Sequence, residues 1–281
     1  MGKSIKLYAG EVTLEFDDAK HAYFWLEKGL PVAGVTSILR VLDKPALVQW
    51  AANSAVEYIY TGWRNAMESD DGILEPTAFA ALCQEAKTAH RKISKAATDI
   101  GSVVHKFAEQ VLVDSRSAMP SDSQAAQGAA AFLEWFHAHT IEPIHIERMV
   151  FSRTHFYAGT VDLFGKIDGE LCVLDFKTSG GLYLEMPLQL AAYAVALEEE
   201  TQERIDNSWI IRLDKKTGKP TPYYIPLRRD LKDAWLRVRE AHRAVKRVDE
   251  LLEEVKEATK QGTRTCLTTP LTRFTAAEVL G

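Results

Sequence analysis

The chain has 281 residues, 46% of them hydrophobic and 26% charged, with a formal net charge of −5. That balance suits one large globular domain, or a core with an attached lobe, and the acidic total argues weakly against indiscriminate nucleic-acid binding without excluding local basic surfaces. No window approaches the roughly 18 uninterrupted apolar residues of a membrane helix, and the opening MGKSIKLYAGEV lacks the apolar stretch of a signal peptide, so a soluble cytosolic protein is expected. Cys83, Cys172 and Cys266 are widely separated and never in a CxxC arrangement, which points to reduced thiols rather than disulfides, zinc or an iron–sulfur site.

Residues 5–30 alternate apolar and polar types around Asp17-Asp18 and read as a short β-hairpin. Residues 36–42 and 45–60 read as helical, with Pro45 near a helix start, followed by a polar break at 68–76. Residues 78–113 are mostly helical, and Ile100, Val103, Val104, Phe107, Ala108 and Val111 fall on one face. A small-residue loop is expected over 115–127 and a helix over 129–139. The pattern then turns strand-like in three runs, 144–151, 158–165 and 170–177. Residues 186–197 are apolar nearly all round, with Pro187 in the first turn, which suits a buried helix laid on a sheet. Further strands are expected at 209–213 and 223–227. A final helix over 230–257 carries Leu231, Ala234, Val238, Ala241, Val245, Val248, Leu252 and Val255 at alternating spacings of three and four. That heptad pattern fits a helix folded on its own domain or, less well, a dimerising seam.

The chemistry concentrates in Gly159-Thr-Val-Asp162 and Asp175-Phe-Lys177-Thr178. Asp168-Gly169 between them is a strong hairpin signal, because both positions tolerate positive φ. Pairing about that turn sets Asp162 opposite Asp175, with Cβ atoms roughly 4.5–5.5 Å apart. Lys177 shares their face, and Val161, Leu163, Cys172, Leu174 and Phe176 are expected on the other. Two facing carboxylates repel, and a divalent cation removes the conflict. Oxygen ligation favours a hard ion, Mg²⁺ or Mn²⁺, able to polarise a phosphoryl oxygen while Lys177 orients water or stabilises charge on the phosphate. Two solvated aspartates and a surface lysine are the plainer alternative.

In order along the chain, Gly101-Ser-Val-Val-His105, Glu147, Gly159-Thr-Val-Asp162, Asp175-Phe-Lys177-Thr178 and Gln189-Leu-Ala-Ala-Tyr193 resemble the RecB-like branch of PD-(D/E)XK nucleases, which includes phage-type exonucleases and the mitochondrial genome maintenance exonuclease. More loosely, His21-Ala-Tyr23 and residues 35–39 look like the N-terminal region of phage members. The resemblance implies an α/β restriction-endonuclease-like fold, with a central mixed sheet flanked by helices and an N-terminal helical lobe. It implies a division into a hairpin and helical lobe at 1–95 and a nuclease core at 96–281. It further implies that His105, Asp162 and Asp175 bind metal, that Asp162, Asp175, Lys177 and Glu147 serve catalysis, and that Gln189, Tyr193 and Thr178 face the nucleic acid.

Simpler roles remain open for several of these residues. His105 can be satisfied by a backbone carbonyl, Glu147 by pairing with Arg148 or Arg153, and Tyr193 by core packing with Gln189 completing its hydrogen bonds. Glu109, on the ridge with Gly101 and His105, is assigned to solvent. The single late cysteine, Cys266, argues against a Cas4-type iron–sulfur cluster. Basic runs at Lys87, Arg91, Lys92 and Lys95, at Arg212, Lys215, Lys216 and Lys219, and at Arg237, Arg239, Arg243, Lys246 and Arg247 are candidate phosphate contacts. The expected activity is Mg²⁺-dependent cleavage of DNA, with exonuclease action implied by the branch alone. The alternatives are a catalytically silent nucleic-acid-binding recombination accessory protein and an interaction protein built on the heptad helix.

Overall fold

The computed structural model describes residues 2–69, 72–114 and 117–260; Cys266 lies outside them. Its centre is a mixed sheet. Strands β5 (Ile141–Ser152) and β7 (Glu170–Lys177) each pair antiparallel with β6 (Tyr157–Ile167), β8 (Asn207–Leu213) lies parallel to β7, and β9 (Pro220–Pro226) closes the edge antiparallel. The β6–β7 turn is the expected Asp168-Gly169, with φ of 50° and 85°. Both residue types tolerate the left-handed region, which twists the hairpin correctly.

Helices cover both faces, as the central apolar runs require. On one side α4 (Ala89–Asp114) and α5 (Ser123–Ala138) bury Val104, Phe107, Phe132 and Trp135 against Leu163, Cys172, Leu174 and Phe176. On the other, α6 (Glu185–Thr201) and α7 (Arg229–Lys260) cover Val150, Val161, Phe164 and Val173. Each fully buried leucine or phenylalanine contributes about 1.5–3 kcal/mol by leaving water. The α6 helix is packed on nearly every side, which explains its continuous apolar sequence, and Tyr157 ties it to the sheet by donating its hydroxyl hydrogen to Ala192 O at 2.8 Å. The α5 helix begins at Ser123, earlier than expected, because the Asp122 side chain caps it by accepting from Ala125 N at 2.8 Å.

The N-terminal region departs from a single hairpin. It forms four strands, β1 (Lys3–Leu7), β2 (Val12–Asp17), β3 (Ala22–Trp25) and β4 (Leu30–Gly34), paired successively and antiparallel. Through Ala33 and Gly34, β4 then joins β6 in parallel, so this meander extends the central sheet instead of standing apart. After the short α1 (Val35–Ile38), α2 (Pro45–Met67) and α3 (Pro76–Ala86) project as a largely exposed helical hairpin packed on α4. The α4 helix runs unbroken through residue 95, where a lobe boundary was expected.

On α7 the heptad splits in two. Leu231, Ala234 and Val238 pack on the domain around the fully buried Trp235, whereas Val245, Val248, Leu252 and Val255 are exposed. No described helix is long and apolar enough to cross a membrane.

Candidate active site

The sheet opens beside β6. One edge of β6 is paired by β5 from Tyr157 to Ile167 except at Asp162; the other is paired by β4 at Tyr157 and Ala158 and by β7 only from Leu163 onward. Residues 159–162 therefore have no strand on that edge among the described residues. The expected β6–β7 register holds from Leu163↔Leu174 to Ile167↔Glu170 but stops one step short of Asp162 and Asp175. In place of a ladder bond, Asp162 Oδ2 accepts a hydrogen bond from Phe176 N at 2.7 Å.

Side-chain alternation also inverts at this level. Val161 packs with the α6 cluster and Leu163 with the α4–α5 cluster, although the two residues are two apart and a regular strand would send both to one face. The expectation that Val161 shares a face with Leu163, Cys172, Leu174 and Phe176 is thereby corrected. The β5 strand does the same. Ile146 packs toward α4–α5, while Arg148 donates to Glu200 of α6 at 2.6 Å and Val150 lies in the α6 cluster. Between them Glu147 has φ of 47°, the left-handed region, which costs a non-glycine residue about 1–3 kcal/mol. The pairs Ile146↔Leu163 and Arg148↔Val161 bracket Glu147 and Asp162, so the two irregularities face each other.

These distortions gather donors from several elements. His105 of α4, Glu147 of β5 and Asp162 of β6 each offer a ligand atom within 4.8 Å of the other two. His105 Nδ1 lies 3.4 Å from Asp162 Oδ2, with side chains 30% and 12% exposed, so the group can be approached from solvent. Arg148 and Arg153, the partners considered for Glu147, instead pair with Glu200 and Glu11. Burial first, then Asp162 and Glu109, push the Glu147 carboxyl up to about 8. Burial and the nearby Asp175 raise Asp162 to about 6, against the opposing pull of His105 and Lys177. Glu109, assigned to solvent from the sequence, is half-buried and its charge reaches Glu147, although it is not one of the three grouped donors.

Asp175 stands apart from the three-donor group. It is buried on the α6 face, and its Oδ2 is in close ionic contact with Lys177 Nζ. Lys177 also donates to Gln189 Oε1 at 3.0 Å, and Gln189 Nε2 donates to Tyr193 Oη at 2.6 Å, one turn along α6. Burial works against the Lys177 charge, but Asp175 and Asp162 outweigh it and hold the ammonium above its usual range. Burial and then Asp175 keep the Tyr193 phenol protonated.

The glycines have steric reasons. A Cβ at residue 101 would meet Thr178 Oγ1 at 2.9 Å, and one at 159 would meet the Tyr193 ring at 2.6 Å. Gly101 thus lets α4 bring His105 down onto β7, with Thr178 packed against that helix, and Gly159 lets Tyr193 lie on β6.

A family model for the PD-(D/E)XK nuclease superfamily matches residues 76–272. The chain belongs to that superfamily. As a PD-(D/E)XK nuclease it keeps the restriction-endonuclease-like arrangement of a central mixed sheet flanked by helices, and its nuclease assignment rests on this match. The match begins at α3, so the N-terminal meander lies outside it. No curated protein matches the chain significantly.

The donor set of this nuclease suits a divalent cation. Two facing carboxylates, each raised by burial and by its neighbours, lose their mutual repulsion once a cation lies between them. One imidazole nitrogen with carboxylate oxygens forms a mixed set.

Proposed function

We propose that the chain is a Mg²⁺- or Mn²⁺-dependent deoxyribonuclease of the RecB-like, phage-type branch, acting from DNA ends in repair or recombination. The observation that carries this reading is the meeting of His105, Glu147 and Asp162 beside the Asp175–Lys177 pair, at a break in the sheet. A divalent cation held by the first three, with Asp175 beside them, would polarise a phosphoryl oxygen of the substrate.

In hydrolysis the oxygen of water bonds to phosphorus as a bridging P–O bond breaks, and negative charge grows on the non-bridging oxygens. Lys177 keeps its proton, so it serves as a fixed positive donor for that charge or for the attacking water, not as a general base. Asp175 and Gln189 hold its Nζ from two directions. Tyr193 receives the Gln189 amide and keeps that side chain aimed at Lys177, and Thr178, which follows Lys177 and packs against α4 at Gly101, is assigned to the substrate.

The test is cleavage of end-labelled linear DNA and of circular DNA in Mg²⁺, Mn²⁺ and EDTA. Digestion of the linear substrate only, lost in EDTA, is the expected result. Full activity in Asp175→Ala or Lys177→Ala defeats the site assignment, and cleavage of circles defeats the exonuclease reading. A catalytically silent accessory protein would bind DNA and cleave neither substrate.

A further inference from the structure

A cleft of about 990 Å³ separates the N-terminal meander from β5 and β6, with Glu147 and Tyr193 in its lining. Its opposite wall follows from strand register. Lys3 pairs with Phe16, and Phe16 with Tyr23, so the three form one transverse row on a single face of the meander. The Phe16 and Tyr23 rings lie 4.7 Å apart, and the exposed His21 sets its ring edge-on to Phe16 at 5.3 Å. Tyr23 Oη and Thr160 Oγ1 share a hydrogen bond at 2.9 Å, which fixes the row to β6 beside the open edge. Lys3 is exposed, and among the described residues no carboxylate holds it in an ion pair; exposed Asp18 and half-buried Glu147 are the carboxylates of the lining.

Part of each basic run singled out in the sequence is already engaged, although Arg91, Lys216, Arg237 and Lys246 are exposed. Lys92, Lys95, Arg212 and Lys219 pair with Glu85, Asp99, Asp214 and Glu134, and Arg239 is buried, donating to Phe156 O. In the cleft lining, the exposed lysines, Lys3 and Lys6, and the ring surface belong to the meander. Rings that accept stacked bases, together with a lysine for the backbone, are the recurring chemistry of single-stranded nucleic-acid sites. The cleft volume falls at the top of the roughly 300–1,000 Å³ range of small-ligand sites, which is room for a nucleotide with its phosphates.

We propose that this cleft receives the unpaired nucleotide next to the scissile phosphate, its base stacked on Phe16 and His21 and its backbone facing Lys3. The substrate it selects is therefore a single strand or a frayed end. This rests on the nuclease reading of the adjoining site, and the measurement is chosen to separate the two. Binding of a fluorescently labelled single-stranded DNA oligonucleotide, and of the blunt duplex of the same sequence, is followed by anisotropy with the full chain in EDTA, where turnover plays no part.

The wild type is expected to prefer the single strand, and His21→Ala, Phe16→Leu and Lys3→Glu each to weaken that binding by roughly 10-fold. His21→Ala removes an exposed ring from a turn residue at φ 50°, so the Tm of the variant, read beside its binding, separates a lost stacking surface from a folding effect. Equal affinity of the wild type for both DNAs, or all three variants within about twofold of wild type, overturns the proposal. Cleavage that persists alongside unchanged binding sinks the cleft alone, whereas lost preference in the variants without any wild-type cleavage sinks the nuclease reading and leaves the cleft standing.

Discussion

On the α4 side of the site, His105, Glu147 and Asp162 crowd two carboxylates whose repulsion the fold leaves in place, whereas on the α6 side the chain supplies its own cation, Lys177, against Asp175. The first half suits an added cation; the second sets a lysine against its carboxylate. A buried carboxylate is stabilised either by a fixed opposite charge or by giving up its own, and this molecule uses the first solution on one face and leaves the second open on the other. The contrast assigns the halves different sensitivities to metal, pH and mutation.

The sharpest break in it comes from Asp162→Asn against Lys177→Ala. Both are expected to lower cleavage by about 10²-fold or more. In calorimetric titration with Mn²⁺, only Asp162→Asn should lose cation binding, and equal loss in Lys177→Ala would merge the two halves into one. Glu147→Gln comes next, with Mn²⁺ affinity reduced by roughly 10–100-fold. It should also act on stability in EDTA. The Glu147 carboxyl is raised from its ordinary value to about 8, so its favourable contribution is complete below about pH 4.5 and is lost as pH rises toward and through about 8. Glutamine cannot ionise, so the variant's Tm should exceed that of wild type at pH 9 and match it near pH 4. A Tm gain that does not grow with pH would remove Glu147 from the strained half.

A smaller effect is expected on the α6 side. Gln189→Leu removes one of two acceptors on Lys177 and should lower kcat by about 10-fold, leaving Mn²⁺ affinity unchanged. The smallest is Gly101→Ala, which sets a Cβ against Thr178 Oγ1 and should lower kcat/KM several-fold by shifting His105. Thr178→Ala in the same chain removes the opposing oxygen. Recovery in that double variant, scored as a mutant cycle, would locate the loss in the fit of α4 on β7.

Much of the α6 half was legible in the sequence. The Asp168-Gly169 turn set the β6–β7 register, and the four-residue spacing of Gln189 and Tyr193 put them on one helical face. On the other side, the stripe of Val104, Phe107, Ala108 and Val111 announced the seat of α4 on the sheet, although Val103 lies exposed. The rest of that half was obscured because strand reading assumes an unbroken period of two, and Val161 and Leu163 obey opposite phases. Glu147 was named as a site residue by its place in the motif order, but it carries no turn-forming neighbour to announce a positive φ, so its approach to His105 and Asp162 depended on coordinates. The meander was read as one hairpin for a related reason. Strand β4, with Pro31 and two small residues, has weak strand character of its own and is held by β3 and β6.

The paired inversion at Glu147 and Asp162 also says how this enzyme would be lost. With Glu147 excised, Ile146 and Arg148 would become consecutive and already point to opposite faces; with Asp162 excised, Val161 and Leu163 would do the same. Each acidic residue behaves as a supernumerary step spliced into an otherwise regular ribbon. Removing both together would mend the pleat and take away two of the three grouped donors, leaving the same architecture without a place for a cation.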